Sequence, residues 1–273
     1  MICRKYRFYK FVLRFFALLL ACVLLCGCSQ ENNGETGQKE SQTASANKNK
    51  TPKKKRVAIT YDDGPHNVRT KQIVDELAKY GFNATFFVVG DRVASVNDKN
   101  LTYNGASALK YAASKGNEIG IHGYTHKANY STCSDAVYES ELKNTNLAIN
   151  KILPDYKVKL MRPIGGSITS ERIKECDYAV ITWNVDSEDW KYRNSSDEEA
   201  AHENVDTIVK NVMSKVSDGS IILMHDLYEN TYEATKIILK QLDEQGYEVV
   251  TVSELLGNRL SAGKKFNSYK KET

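Results

Sequence analysis

Ala58-Ile59-Thr60-Tyr61-Asp62-Asp63-Gly64-Pro65 begins as a strand and ends as a turn. Val57, Ala58 and Ile59 form a short apolar, β-prone run. Gly64-Pro65 is a strong turn pair. Two adjacent carboxylates stand between them. Successive strand residues point to opposite faces, so at least one of Asp62 and Asp63 must face the core or a pocket unless the backbone has already left the strand. Taken alone, the stretch fits a plain strand running into a turn, because Asp and Gly are ordinary turn residues.

The rest of the chain repeats that pattern. Strand-like runs are expected at 57–62, 84–89, 118–122, 158–162, 178–185, 220–225 and 247–252. Helical patterns fall between them at 69–80, 105–115, 135–153, 170–175, 197–216 and 232–245. Gly81, Gly116 and Gly246 stand where helices commonly end. Strands alternating with helices make a parallel sheet. The number of repeats predicts an α/β fold, a closed or nearly closed barrel of about seven parallel strands. No Gly/Ser/Pro linker interrupts the region, so residues 56–256 read as one domain.

Asp62-Asp63, His122, Arg162, Asp186–Trp190 and His225 each fall at or just past the carboxyl end of an expected strand. In parallel α/β barrels that end carries the active site. This repeated placement, more than any single motif, overturns the turn-only reading of the two aspartates.

The residue types suit metal-assisted hydrolysis. His122 and His126, two of only five histidines, are four apart and can share a metal if the backbone curls after the strand. One aspartate completes a two-His, one-carboxylate set with positions left for water and substrate. Alone, such a pair is as readily structural or exposed. The second aspartate can then serve as general base. Arg162 can hold that base ionised. His225 leaves an apolar strand and suits a general acid, though a satisfied core histidine has the same signature. Trp190 can wall a sugar-sized groove or merely edge the core.

The flanks are of another character. Arg4, Lys5, Arg7, Lys10 and Arg14 precede an apolar run from Phe15 to Cys26, the pattern of a secretory leader and too short for a membrane span. Leu25-Cys26-Gly27-Cys28 resembles a bacterial lipobox, which implies lipidation of Cys28, although Cys26 stands where a small residue is usual. Residues 1–28 are then a lipoprotein signal peptide, and the alternative is an ordinary signal peptide cleaved nearby. Attachment to the outer face of the cell membrane, facing the wall, would come from acyl chains. Residues 29–55 hold no aliphatic side chain larger than Ala and read as a flexible tether. Residues 257–273 read as a polar, basic, disordered tail. Removing the five leader cations from 38 basic residues leaves 33 against 34 acidic ones, which argues against a nucleic-acid binder. Outside the leader only Cys133 and Cys176 remain, read as unpaired thiols.

Together these residues resemble the polysaccharide deacetylases, carbohydrate esterase family 4 with its NodB-homology domain. The likeness runs from about Lys55 to Leu256, with five motifs in family order: Thr60–Pro65, His122–His126, Arg162–Gly166, Asp186–Trp190 and Leu223–His225. The resemblance implies a distorted (β/α) barrel of seven or eight strands. It implies that Asp62 is the catalytic base and that Asp63, His122 and His126 hold a divalent metal, usually zinc, with cobalt, manganese or nickel possible. By the same match Arg162 orients Asp62, Asp189 supports the catalytic pair, His225 is the general acid, Leu223 lines the acetyl pocket and Trp190 walls the groove. Two departures stand out. Gly123 occupies a position usually held by Ser or Thr, which removes a hydrogen bond bracing the histidine loop. Gly165 replaces an aromatic, keeping a backbone N–H for the oxyanion but losing a groove wall.

The expected activity is removal of N-acetyl groups from N-acetylglucosamine in a surface polysaccharide, peptidoglycan or a chitin-like glycan, by a monomeric enzyme. The alternatives are O-deacetylation of xylan-like polymers and a non-catalytic glycan-binding lipoprotein on the same fold.

Overall fold

A computed structural model describes residues 54–94, 105–192 and 198–269. The leader, the lipidation site Cys28 and nearly all of the tether lie outside the described residues. The chain runs β1 (Lys55–Asp62), α1 (Arg69–Lys79), β2 (Thr85–Val88), α2 (Gly90–Ala94), α3 (Gly105–Ser114), β3 (Glu118–Ile121), α4 (Asp135–Ile152) and β4 (Leu160–Met161). It continues α5 (Ser170–Glu175), β5 (Ala179–Ile181), β6 (Val185–Asp186), α6 (Glu198–Met213), β7 (Ile221–His225), α7 (Glu229–Glu244), β8 (Tyr247–Val249), α8 (Val252–Leu256) and β9 (Lys265–Phe266).

Every strand pairing is parallel. The strand order is β6-β7-β1-β2-β3-β4-β5-β9, and β8 pairs with the start of β1. The sheet curls into a half-barrel and does not close.

Alternation along the strands sorts the side chains into two layers. Ile59, Tyr61, Phe86, Val88, Ile119, Ile121, Met161, Val180, Ile222 and Met224 pack into the larger cluster with helix residues such as Ile73, Leu77, Ile149, Ile208 and Ile238. Ala58, Phe87, Leu160, Ala179, Ile181 and Ile221 form a smaller inner cluster on the concave side. Its interior is tight: a Cβ at Gly120 would lie 2.6 Å from the Phe87 ring. Continuing the period of two from these inner residues carries Asp62, His122, Arg162 and His225 to the same concave face, one layer further toward the carboxyl ends.

Three boundaries differ from expectation. The run 178–185 is two strands: β5 pairs with β4 and β9, whereas β6 pairs with β7. The chain passes from β5, next to one edge, to the opposite edge strand β6 across Thr182-Trp183-Asn184. The run 247–252 stops at Val249 because Thr251 caps α8 through a reciprocal capping box with Glu254. Val252, Leu255 and Leu256 of α8 then fill the amino end of the half-barrel against the inner cluster. Residues 257–269, expected to be a disordered tail, are ordered instead. β9 extends the sheet beside β5, the Tyr269 N–H donates to the Gly219 carbonyl at 2.7 Å, and Phe266 and Tyr269 pack on the inner cluster. Two aromatics in a basic stretch hold it down. Among the described residues no helix is long and apolar enough to cross a membrane.

Candidate active site and metal centre

Asp62 ends β1 on the inward face and is 3 % exposed. Arg162, just past β4, is fully buried beneath it. Its guanidinium donates from Nη1 to Asp62 Oδ1 and to Thr60 Oγ1, both at 2.7 Å. Nε donates to the Ile181 carbonyl and Nη2 to the Thr182 carbonyl, both at 3.2 Å. The Phe87 ring lies 4.3 Å from the guanidinium carbon. Burial pulls the Arg162 pKa down and the charge of Asp62 opposes that pull. A planar fork with five donors is what lets one side chain serve four acceptors on two segments. Thr60 passes the chain on, donating to the Ile222 carbonyl at 2.6 Å.

Asp63 is already out of the strand, at φ 73. Arg92 of α2 donates from Nη1 to the Asp63 carbonyl and helps hold this left-handed turn. The turn aims Asp63 Oδ1 at the histidines, 2.8 Å from His126 Nε2 and 3.4 Å from His122 Nε2. Burial alone would raise the Asp63 pKa, but the two imidazoles outweigh it and hold the carboxyl well below the usual range. His122 is pushed the other way. Burial lowers it, and Asp62 with Asp63 raises it on balance.

The ligand atoms of Asp63, His122 and His126 all lie within 4.8 Å of one another. His122 Nδ1 bonds the Arg162 carbonyl at 2.9 Å, which leaves Nε2 as the inward atom. Asp63 Oδ1 is buried and accepts no well-formed hydrogen bond despite its close imidazole neighbours. Three donor atoms converging without bonding one another is the geometry of a shared cation. One carboxylate oxygen and two imidazole nitrogens suit zinc and related divalent ions.

The loop carrying the histidines is braced from α4. A Cβ at Gly123 would lie 2.7 Å from the Tyr130 hydroxyl, and its φ of +83° suits glycine. Glu141 Oε2 accepts from the backbone N–H groups of Tyr124 and Thr125 at 2.6 and 2.9 Å, and Oε1 accepts from Thr125 Oγ1 at 2.6 Å. The loss of bracing expected at Gly123 is therefore made good by a buried glutamate that sequence reasoning missed. Its position nearly two turns into an otherwise ordinary helix carried no signal.

His225 closes β7, and the β1–β7 register sets it beside Asp62. Its Nδ1 faces Asp189 Oδ1 at 2.7 Å. Asp189 is fully buried, and its Oδ2 also accepts from the His225 N–H at 2.8 Å and from Thr231 Oγ1 at 2.6 Å. Burial lowers the His225 pKa, but Asp189 outweighs it and the value is pushed up to about 9. Nδ1 is thus committed to Asp189 and the Nε2 edge is turned away from it.

The remaining expected residues are less closely engaged. Leu223 is buried opposite Thr60 in the strand register. Trp190 is 45 % exposed beside Asp189. Gly165 sits at φ 59, and a Cβ there would meet nothing within 4 Å. The tryptophan nearest the buried cluster is Trp183, whose ring lies 5.5 Å from the Arg162 guanidinium carbon and whose Nε1 donates to Asp186 at 3.2 Å. Cys133 and Cys176 are free thiols, as expected.

Comparison with known proteins is consistent across sequence and structure. The polysaccharide deacetylase family profile matches residues 49–181. Among curated proteins, the chain is 32% identical over 212 residues to the peptidoglycan-N-acetylglucosamine deacetylase PgdA of Listeria monocytogenes, covering 78% of this chain and 41% of that protein. It is 37% identical over 204 residues to the peptidoglycan-N-acetylmuramic acid deacetylase PdaC of Bacillus subtilis, covering 75% of this chain and 39% of that one. The chain thus spans about two fifths of those relatives. A peptidoglycan-N-acetylglucosamine deacetylase of Bacillus cereus is 33% identical and is covered over 87% of its length, with 73% of this chain aligned. Among solved structures, Bacillus subtilis PdaC superposes with a TM-score of 0.65 at 37% identity, covering 75% of this chain and 91% of that one. A family 4 acetyl xylan esterase from Clostridium thermocellum in complex with a cobalt ion gives 0.66 at 30% identity, with coverage of 78% and 98%.

Proposed function

Because the chain belongs to the polysaccharide deacetylase family, we propose that it is a metal-dependent hydrolase removing N-acetyl groups from the amino sugars of peptidoglycan, N-acetylglucosamine first among them. The observation that carries this reading is the pairing of Asp62 and His225 across adjacent strand ends, beside the converging atoms of Asp63, His122 and His126. A divalent cation held by those three residues, zinc foremost, would supply the Lewis acidity that polarises the acetamide carbonyl and acidifies water.

The chain's own groups account for the proton traffic. Asp62, aimed by Arg162 Nη1, takes the proton from the attacking water. The Gly165 N–H is the backbone donor for the charge that develops on the carbonyl oxygen. His225, held protonated by Asp189, gives its Nε2 proton to the departing nitrogen, and acetate leaves. Leu223 receives the acetyl methyl and Trp190 flanks the sugar. Deacetylation of N-acetylmuramic acid has support in the PdaC likeness, and O-deacetylation of a xylan-like polymer in the acetyl xylan esterase likeness. The Leu25–Cys28 motif supports an exported, lipid-anchored protein that meets this polymer at the wall.

Acetate release by the full chain from peptidoglycan, chitooligosaccharide and acetylxylan, with and without a chelator, tests the reading. Chelator-sensitive release from peptidoglycan is the expected result. Release confined to acetylxylan would favour the esterase, and release from none by zinc-loaded protein would sink the enzymatic reading.

A pH dependence follows from the His225–Asp189 pair. An acid with a pKa near 9 should give kcat/KM an alkaline limb near that pH. Asp189→Asn should move the limb toward ~6.5 and cut activity at pH 8 by tenfold or more. A pH–rate profile whose alkaline limb is the same in both proteins would refute the assignment. The folded value lies above the unfolded value of ~6.5, so the pair's contribution to stability is complete below that pH and is lost as pH rises through about 9.

A further inference from the structure

The backbone ladder between β1 and β7 ends at the register pair Asp62 and His225. One residue further on each strand stand Asp63, a metal-ligand candidate, and Asp226, for which the chemistry above has no use. Asp226 is fully buried. Its Oδ2 accepts from Thr70 Oγ1 of α1, and that same hydroxyl accepts from the His66 N–H at 2.8 Å. Its Oδ1 is buried with no hydrogen-bond partner among the described residues. Both oxygens straddle the Cα of Gly64: a Cβ built there would lie 2.2 Å from Oδ1 and 2.3 Å from Oδ2. The Asp226 carboxyl therefore fills the space beneath the turn that follows Asp63.

We propose that Asp226 is a positioning residue that locks the Asp63-Gly64-Pro65-His66 turn onto the end of β7, so that the metal ligand Asp63 keeps a fixed place relative to the acid His225. The need for such a lock follows from the geometry. Asp63 sits at φ 73, in the left-handed region, which is costly for a residue with a Cβ unless its surroundings hold it. From the β2 side the turn is held by Arg92 on the Asp63 carbonyl and by the Val89 N–H on the Gly64 carbonyl at 2.8 Å. From the β7 side the ladder has run out, and Asp226 takes its place through Thr70 and His66. Gly64 is required because any side chain there would displace the carboxyl.

The proposal rests on the metal site described above, and zinc affinity of the full chain, read by competition with a chromophoric chelator, tests the two separately. In wild type, zinc should bind at about one per chain; failure to bind would count against the site itself and this proposal with it. Asp226→Ala should weaken zinc binding tenfold or more, the usual effect of losing a support behind a metal ligand. It should lower kcat while KM changes less than twofold. Asp226→Asn, which keeps the shape and an acceptor for Thr70, should recover most of the affinity. Gly64→Ala should weaken binding as Asp226→Ala does, and the Gly64→Ala/Asp226→Ala double variant should bind better than Gly64→Ala alone, because the added methyl then has room. Thr70→Val decides the matter if Asp226→Ala does not fold, with a several-fold loss expected. Zinc affinity within twofold of wild type in a folded Asp226→Ala or, failing that, in Thr70→Val overturns the proposal.

Discussion

Asp62→Asn should lower kcat by about a thousandfold while leaving zinc bound, within the ~10²–10⁴ range that a general base contributes. The adjacent aspartates share a turn but have different partners. Asp62 Oδ1 is tied to Arg162 at 2.7 Å, and its Oδ2 stands 3.6 Å from His122 Nε2, outside the converging ligand set. Asp63 Oδ1 belongs to that set. An amide at position 62 still accepts from Arg162, so the loss should be of proton transfer and not of architecture. An amide at position 63 removes a charged ligand, so Asp63→Asn should instead release the metal. Single-turnover acetate release, measured beside zinc content, separates the two. Asp62→Asn retaining more than a tenth of wild-type kcat would remove it from the role of base. Equal zinc loss in both variants would mean that the pair is not divided as the geometry divides it.

The second large effect is on stability. Arg162→Met should destabilise the domain by about 3–5 kcal/mol, the usual cost of removing one partner of a buried ion pair. Asp62 would be left buried beside an apolar side chain. Thr60 Oγ1 and the carbonyls of Ile181 and Thr182 would lose a donor at the same time. For a domain of this size each kcal/mol shifts Tm by roughly 2–4 °C, so a fall of about 10 °C is expected. Arg162→Lys keeps a positive charge but has no planar fork, so it should recover part of the Tm while kcat stays low. A melting temperature within about 3 °C of wild type for Arg162→Met would show that Asp62 finds another counter-charge, contrary to the contacts seen.

The two effects share a cause. Arg162 bonds the base through its side chain and the ligand His122 through its backbone carbonyl. One residue just past a two-residue strand therefore indexes the base to the metal site. Glu141 does similar work for the far side of the site. It gathers the backbone of Tyr124 and Thr125, next to His126 at φ 59. The site is built on strand ends, but three of its turns are fixed by buried ionisable side chains: Arg162, Glu141 and Asp226.

Much of this was legible in the residues themselves. The period of two is a local property, set by the pleat of a single strand. Reading it from Ala58 through Thr60 puts Asp62 on the face of those residues, and His225 on the face of Ile221 and Leu223 in the same way, but both faces of these strands are buried, so which one is the inner face is not written in the alternation. The placement of polar clusters at strand ends, the parallel sheet and the free thiols are likewise properties of short windows.

What lay beyond the sequence depends on which distant segments the curl of the sheet brings together. Asp63 leaves the strand because Arg92, on a short helix that no periodicity announced, holds its carbonyl. Residues 178–185 looked like one strand, yet they serve opposite sides of an open sheet. The segment after Leu256 looked disordered by composition, and only its packing against β5 and Gly219 orders it. Nothing in the sequence singled out Asp226. Its meaning comes from Gly64, a contact over 160 positions that neither propensity nor charge could indicate. Alternation is written along the chain and so determines which side chains share a face. The buried contacts that fix their final positions are made between segments, and they exist only once the half-barrel has formed.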